Sequence, residues 1–179
     1  MRLVPNDKEI EMSNETEEME MGGTKPVAEH EWLQHMVGEW KTEAEMMMPN
    51  GESATGTGTE TVTSLGGLWA YSEGRGEMPD GSVMDYKAGI GYDVSFKEYR
   101  GFWVASVSSH LWKYTGTMSA DKKTLTLNCV GPHMMKDGET ANYRDEHHII
   151  DENHRTMTSY GQDDDGNWSQ FMKVSYTRV

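Results

Sequence analysis

The residues able to do chemistry gather late in the chain. Asp145, Glu146, His147 and His148 stand in a row, with His133 before them and His154 after. Carboxylates beside imidazoles can move protons or hold a metal ion. Along a strand, however, neighbours point to opposite faces. Asp145 can therefore cooperate with His147, or Glu146 with His148, and never all four together. Parity does not choose the inward histidine: His147 goes with Tyr143 and Ile149, His148 with Arg144 and Ile150. The commoner meaning of such a row is a solvated strand face.

Other candidates are weaker. The chain holds 15 methionines, among them Met46, Met47 and Met48 in succession and the pair Met134-Met135. Thioethers ligate copper(I), but they also fill irregular apolar interiors, and Met46 and Met48 share a face with other apolar residues. Asp163-Asp164-Asp165-Gly166-Asn167 departs from a calcium loop. Gly161 stands where the first carboxylate is needed and Met172 where the closing glutamate is needed, so the run reads as a polar hairpin turn. The sequence holds no Gly-x-Ser-x-Gly elbow, no His-Glu-x-x-His, no phosphate loop and no Cys-x-x-Cys. No metal site and no catalytic set is expected, and the reading leans away from an enzyme.

Composition narrows the partners. The chain has 179 residues and a formal net charge of −14. That length suits one domain with a full core. An acidic surface repels phosphate backbones, which excludes nucleic acid as the natural partner. No apolar run approaches the ~20 residues of a membrane span. Cys129 is the single cysteine and can form no internal disulfide, as suits a reducing compartment. With no apolar signal segment at the start, the expected location is the cytoplasm.

The elements that must position these residues follow from periodicity. Residues 1–27 are acidic and aperiodic and read as a disordered tail. Ala28, Trp32, Leu33, Met36 and Val37 keep helical spacing, with Gly38 as a stop. A helix of about ten residues must pack on something to persist. From Gly38 the period becomes two. Trp40, Thr42, Ala44, Met46 and Met48 alternate with Lys41, Glu43, Glu45 and Met47, and Met84, Tyr86, Ala88, Ile90 and Tyr92 alternate with Asp85, Lys87, Gly89, Gly91 and Asp93. Leu125, Leu127 and Cys129 continue the pattern, and Trp168, Gln170, Met172, Val174 and Tyr176 end it. Turn signals fall at residues 49–51, 66–67, 79–81, 93–96, 120–123, 136–138, 151–153 and 163–167. Regular spacing gives about ten antiparallel strands, and closure of so long a meander removes its edges. The expected fold is an all-β, closed, antiparallel up-and-down barrel with one short N-terminal helix, over residues 28–179.

Closure carries a geometric consequence. With an even strand count the first and last strands are neighbours, so Trp40 and Arg178 meet at one end. A guanidinium over an indole is worth about 0.5–2 kcal/mol. This pair, capped by the helix, is expected to seal the barrel floor.

The ordered pieces resemble a family. They are His30-Glu31-Trp32-Leu33, Val37-Gly38-Glu39-Trp40, Leu65-Gly66-Gly67, Gly89-Ile90-Gly91-Tyr92-Asp93, Trp103 and Tyr176-Thr177-Arg178. The chain is similar to the uncharacterised family called domain of unknown function 1579. That resemblance implies a calycin-like barrel, of the lipocalin and fatty-acid-binding type, but no agreed activity. One departure is Ala105, where the family pattern often has an acidic residue two places after the strand tryptophan. Nitrobindin-like barrels also begin with a helix and a Gly-x-Trp strand, and a late-strand histidine ligates their haem. Likeness to them makes His133, His147, His148 and His154 the iron-ligand candidates. Lys41-Thr42-Glu43-Ala44 departs from the small glycines that follow the tryptophan there.

The leading expectation is binding of a small hydrophobic or amphipathic molecule inside the barrel, without catalysis or cofactor. The inner face supplies Thr42, Met46, Tyr86, Ile90, Trp103, Leu127, Gln170, Met172 and Tyr176 as ligand contacts, above the floor pair Trp40 and Arg178. The alternatives are a haem-binding barrel and a barrel filled by its own aromatics, Trp69, Trp103, Trp112 and Trp168, which would serve as a structural or interaction module.

Overall fold

The computed structural model describes residues 23–47, 51–78 and 80–179. Among these residues a single helix, α1 (Ala28–Gln34), precedes ten strands. They are β1 (Gly38–Met47), β2 (Ser53–Leu65), β3 (Trp69–Glu77), β4 (Val83–Asp93), β5 (Glu98–Ala105), β6 (Ser108–Met118), β7 (Thr124–Pro132), β8 (Thr140–Ile149), β9 (His154–Gln162) and β10 (Trp168–Arg178). All neighbours pair antiparallel, and β1 pairs with β10 to close the barrel. The all-β, up-and-down, closed architecture read from periodicity is thus the observed one. Most of the acidic tail, residues 1–22, and Met48 lie outside the described residues. No described helix is long and apolar enough to cross a membrane.

The helix is shorter than its apolar spacing predicts. It ends at Gln34, and a turn carries the chain to Gly38. Its first turn is closed by a side chain: His30 Nδ1 accepts the Val27 backbone N–H at 3.0 Å. Its inner face buries His30, Trp32 and Leu33 over β3 and β4. Tyr99 ties it down, donating from its hydroxyl to the Glu29 carbonyl at 2.8 Å.

The barrel floor has the expected geometry. Trp40 and Arg178 are cross-strand partners, and the guanidinium lies 4.1 Å from the indole centroid. Trp40 Nε1 donates to the Met36 carbonyl at 2.8 Å, which fixes the turn after the helix. Arg178 donates to the carbonyls of Val37 (2.7 Å), His35 (3.2 Å) and Glu152 (2.8 Å). It therefore stitches the helix exit, the β8–β9 turn and the last strand together. Gly38 explains the Gly-x-Trp cue: its φ is +137°, and a Cβ there would lie 2.1 Å from Arg178 Nη1. Only glycine suits both that backbone and that neighbour.

Two local features depart from simple alternation. A register shift between Gln170 and Met172 breaks the parity of β10. The turn joining β5 and β6 has no glycine, proline, asparagine or aspartate and escapes the turn signals. Serines do the work there: Ser106 exchanges backbone and side-chain hydrogen bonds with Asp85, and Ser108 Oγ accepts from the His110 N–H.

Candidate functional site

The interior is not filled. A cavity of about 290 Å³ runs from the floor toward the end where the β1–β2, β3–β4, β5–β6, β7–β8 and β9–β10 connections lie. Alternate residues of the strands line it, because the pleat turns every second side chain inward. Most of its wall is apolar, built by Ala44, Ala88, Ile90, Trp103, Trp112, Leu127, Cys129 and Val174. Nearer the rim, Met46, Met84 and Met134 line it. Trp103 stacks on Tyr86 with ring centroids 6.1 Å apart.

Of the expected ligand contacts, Thr42, Met46, Tyr86, Ile90, Trp103, Leu127, Met172 and Tyr176 line this cavity. Gln170 does not. The extra residue at the β10 bulge turns Phe171 inward beside Met172 and leaves Gln170 exposed. Such a bulge inverts the parity on one side of it. Trp168 is turned outward for the same reason, with Arg144 4.5 Å over its ring. Trp69 also stays outside, 38% exposed. Of the four aromatics in the filled-barrel reading, only Trp103 and Trp112 reach the cavity.

The polar inner end is what the sequence reading missed. Glu60 on β2 is 5% exposed and Arg155 on β9 is 2% exposed, and they form an ion pair of 2.9 Å. The Arg155 side chain crosses β10 and β1 to reach its partner. On the way its guanidinium lies 3.6 Å from the Tyr176 ring centroid and 4.6 Å from that of Trp40. Ser72 and Tyr86 hydroxyls donate to the same carboxylate at 3.1 and 2.7 Å. Tyr86 can lean across only because β3 has Gly74 opposite it: a Cβ there would lie 2.0 Å from the phenol ring. Burial raises the Tyr86 and Tyr176 phenols well above their ordinary range. A signal for this cluster was available. Glu60 stands between Gly58 and Val62 on the inner parity of its strand, where a lone charge demands a partner.

β8 settles the histidine question by its register. Asp145 and His147 face inward and line the cavity, while Glu146 and His148 face out. His148 lies 2.8 Å from Thr124 Oγ1. His133 and His154 are taken up by turns at the two ends. Asp145 accepts hydrogen bonds from Tyr114 (2.8 Å) and Ser159 (2.5 Å). Burial nevertheless raises its carboxyl above the usual value. Burial, helped by the charge of Arg155, depresses His147 to about 3, so its ring is neutral. Burial also pushes the Cys129 thiol up to about 12, which keeps it protonated. Among the described residues no group of three His, Cys, Asp or Glu could hold a metal ion.

A second hollow, of about 500 Å³, lies outside the wall between β6 and β7. These strands pair only from Thr115↔Asn128 to Met118↔Leu125, the shortest ladder in the barrel. Cys129 and Tyr143 line both hollows.

The comparisons agree on the shape. No curated protein matches the chain significantly. Solved structures do. An S-type phycobiliprotein lyase, CPES, from Guillardia theta is 12% identical, with a TM-score of 0.54 over 86% of this chain and 93% of that one. Rv2717c from M. tuberculosis is 10% identical, with a TM-score of 0.60 over 86% and 98%. At such identities the likeness concerns the fold alone. The sequence family is closer to hand. Its model, described as "Protein of unknown function (DUF1579)", matches residues 25–178, so the chain belongs to that family.

Proposed function

We propose that this protein binds a small, mainly apolar or amphipathic molecule inside the barrel, as a cytoplasmic, calycin-like carrier without catalysis or a resident cofactor. The observation that carries this reading is the cavity of about 290 Å³, apolar along most of its wall and polar at its inner end. That size lies at the lower edge of the usual small-molecule range of about 300–1,000 Å³. Methionines at the rim can re-pack around ligands of different outline. Against catalysis stands the engagement of the inward carboxylates: Asp145 is held by Tyr114 and Ser159, and Glu60 by Arg155, Ser72 and Tyr86. The purified protein, extracted and examined by mass spectrometry, should release a small apolar molecule, and the emptied chain should take up an apolar fluorescent probe. A protein that releases nothing and takes up no probe would overturn the proposal.

Haem binding is the second reading, and one observation favours it: of its candidate ligands, only His147 enters the cavity. A tetrapyrrole is large for this space of about 290 Å³. Haem titration should produce no shift of the Soret band, and a shift lost in His147→Leu would reinstate haem.

A further inference from the structure

The inner end of the cavity has more hydrogen-bonding capacity than the protein uses. Arg155 spends Nη2 on Glu60. Its Nε and Nη1 are buried and meet no hydrogen-bond partner among the described residues. His147 Nδ1 is in the same condition. The two side chains are diagonal neighbours on the inner face, since His147 pairs with Met157 and Ile149 with Arg155. Such diagonal positions are about 7–8 Å apart, so the two residues face the same part of the interior, although the guanidinium leans across β10 and β1 to Glu60. Both line the cavity. Buried polar atoms left unmet are costly, so a matching polar group delivered by a ligand is rewarded here.

The sign of that group follows from the charges around it. Arg155 is already neutralised by Glu60 at 2.9 Å. A second carboxyl, Asp145, lines the same cavity. An incoming carboxylate would shed its water, find no unmatched positive charge and face the carboxyl of Asp145. A neutral carbonyl oxygen gives up far less hydration, brings no charge to be matched or repelled, and still accepts from an Arg155 N–H.

Building on the ligand-binding reading, we infer that the inner end recognises an uncharged carbonyl oxygen on an otherwise apolar molecule, through Arg155 and His147, and rejects carboxylates. The ligand class is the aliphatic or aromatic ketone, aldehyde or neutral ester. The fatty-acid anion is excluded.

Three probes of equal chain length test this by calorimetry and tryptophan fluorescence on the full chain: decane, methyl octyl ketone and decanoate. The ketone should bind about tenfold or more tighter than decane, the worth of one charge-assisted hydrogen bond, and decanoate should bind no tighter than decane. His147→Leu should shrink the ketone preference, as should the paired exchange Glu60→Gln with Arg155→Gln, which keeps the inner end neutral. Equal binding of ketone and decane, or tightest binding of decanoate, overturns the inference and leaves the binding function standing. Failure of all three probes and of an apolar dye to enter overturns both. The wild-type comparison decides the matter even if a variant does not fold.

Discussion

At the residue scale, His147 is the most informative side chain in the barrel. It sits on the inner face of β8, neutral, with its ordinary basicity suppressed to about 3 by burial and by Arg155. An unfolded histidine takes up its proton near pH 6.5. Below that point the unfolded chain binds a proton that the folded chain refuses, so stability falls as pH drops from about 6.5 toward 3. The slope from this one group reaches at most about 1.4 kcal/mol per pH unit. Asp145 acts with the opposite sign: its carboxyl is raised, so its contribution is present below the unfolded value and is lost as pH rises through the folded one. The turn aspartates Asp80, Asp121, Asp151, Asp163 and Asp164 are lowered by their hydrogen bonds, and their contribution is lost only on further acidification. Urea midpoints measured between pH 7 and pH 4 should decline in the native protein. In His147→Leu that decline should be much flatter, and an unchanged slope would show that His147 is not buried neutral.

At the element scale, the weakest seam is the one between β6 and β7. Their ladder stops at Thr115↔Asn128, and beyond it the strands diverge around an external hollow. One hydrogen-bond contact spans the gap, His110 Nε2 at 3.3 Å from the Val130 carbonyl, and the Trp112 ring lies against Gly131. Amides bound in a long ladder exchange only through larger openings, and those on a short or frayed edge exchange through local ones. Hydrogen exchange followed by mass spectrometry should therefore show faster uptake over Ser108 to Tyr114 and Cys129 to Pro132 than over the β1–β2 and β1–β10 ladders. Equal protection around the barrel would remove the seam. The β10 bulge is the other element-scale lesson. One added residue between Gln170 and Met172 exchanges a predicted polar contact, Gln170, for Phe171. Periodicity alone could not reveal it, because every residue in that stretch suits either face of a strand.

At the scale of the whole molecule, closure depends on long-range ties. Arg178 links the last strand to the helix exit and to the β8–β9 turn by three hydrogen bonds to carbonyls, and it covers Trp40. Arg178→Ala should cost about 2–3 kcal/mol and lower the melting temperature by about 4–12 °C for a chain of this length. Lysine should recover little, since it lacks the planar fork that meets three carbonyls. A thermal scan showing no loss in Arg178→Ala would refute a load-carrying floor. The Glu60–Arg155 pair makes a second tie, from β2 to β9. Breaking such a buried pair by removing one partner typically costs about 3–5 kcal/mol.

Strand alternation, turn chemistry, regular spacing and the Gly38-Glu39-Trp40 cue were enough to give the barrel, a count of about ten strands and the meeting of Trp40 with Arg178, although the β5–β6 turn carries no turn signal. Each of these follows from local periodicity plus the requirement that a long meander close on itself. Eight of the nine expected contacts line the cavity by the same rule. The sequence could not say whether His147 or His148 turns inward, because both have partners of the same kind on either parity, and only the register of β8 against β7 and β9 decided it. Nor could it join Glu60 to Arg155, which stand 95 residues apart. Inner-face parity marks a charge as buried, but the partner is set by strand order around the closed barrel, and that order exists only in three dimensions. The chain thus wrote its own container, while the chemistry at the inner end of that container was decided by which distant strands closure brought together.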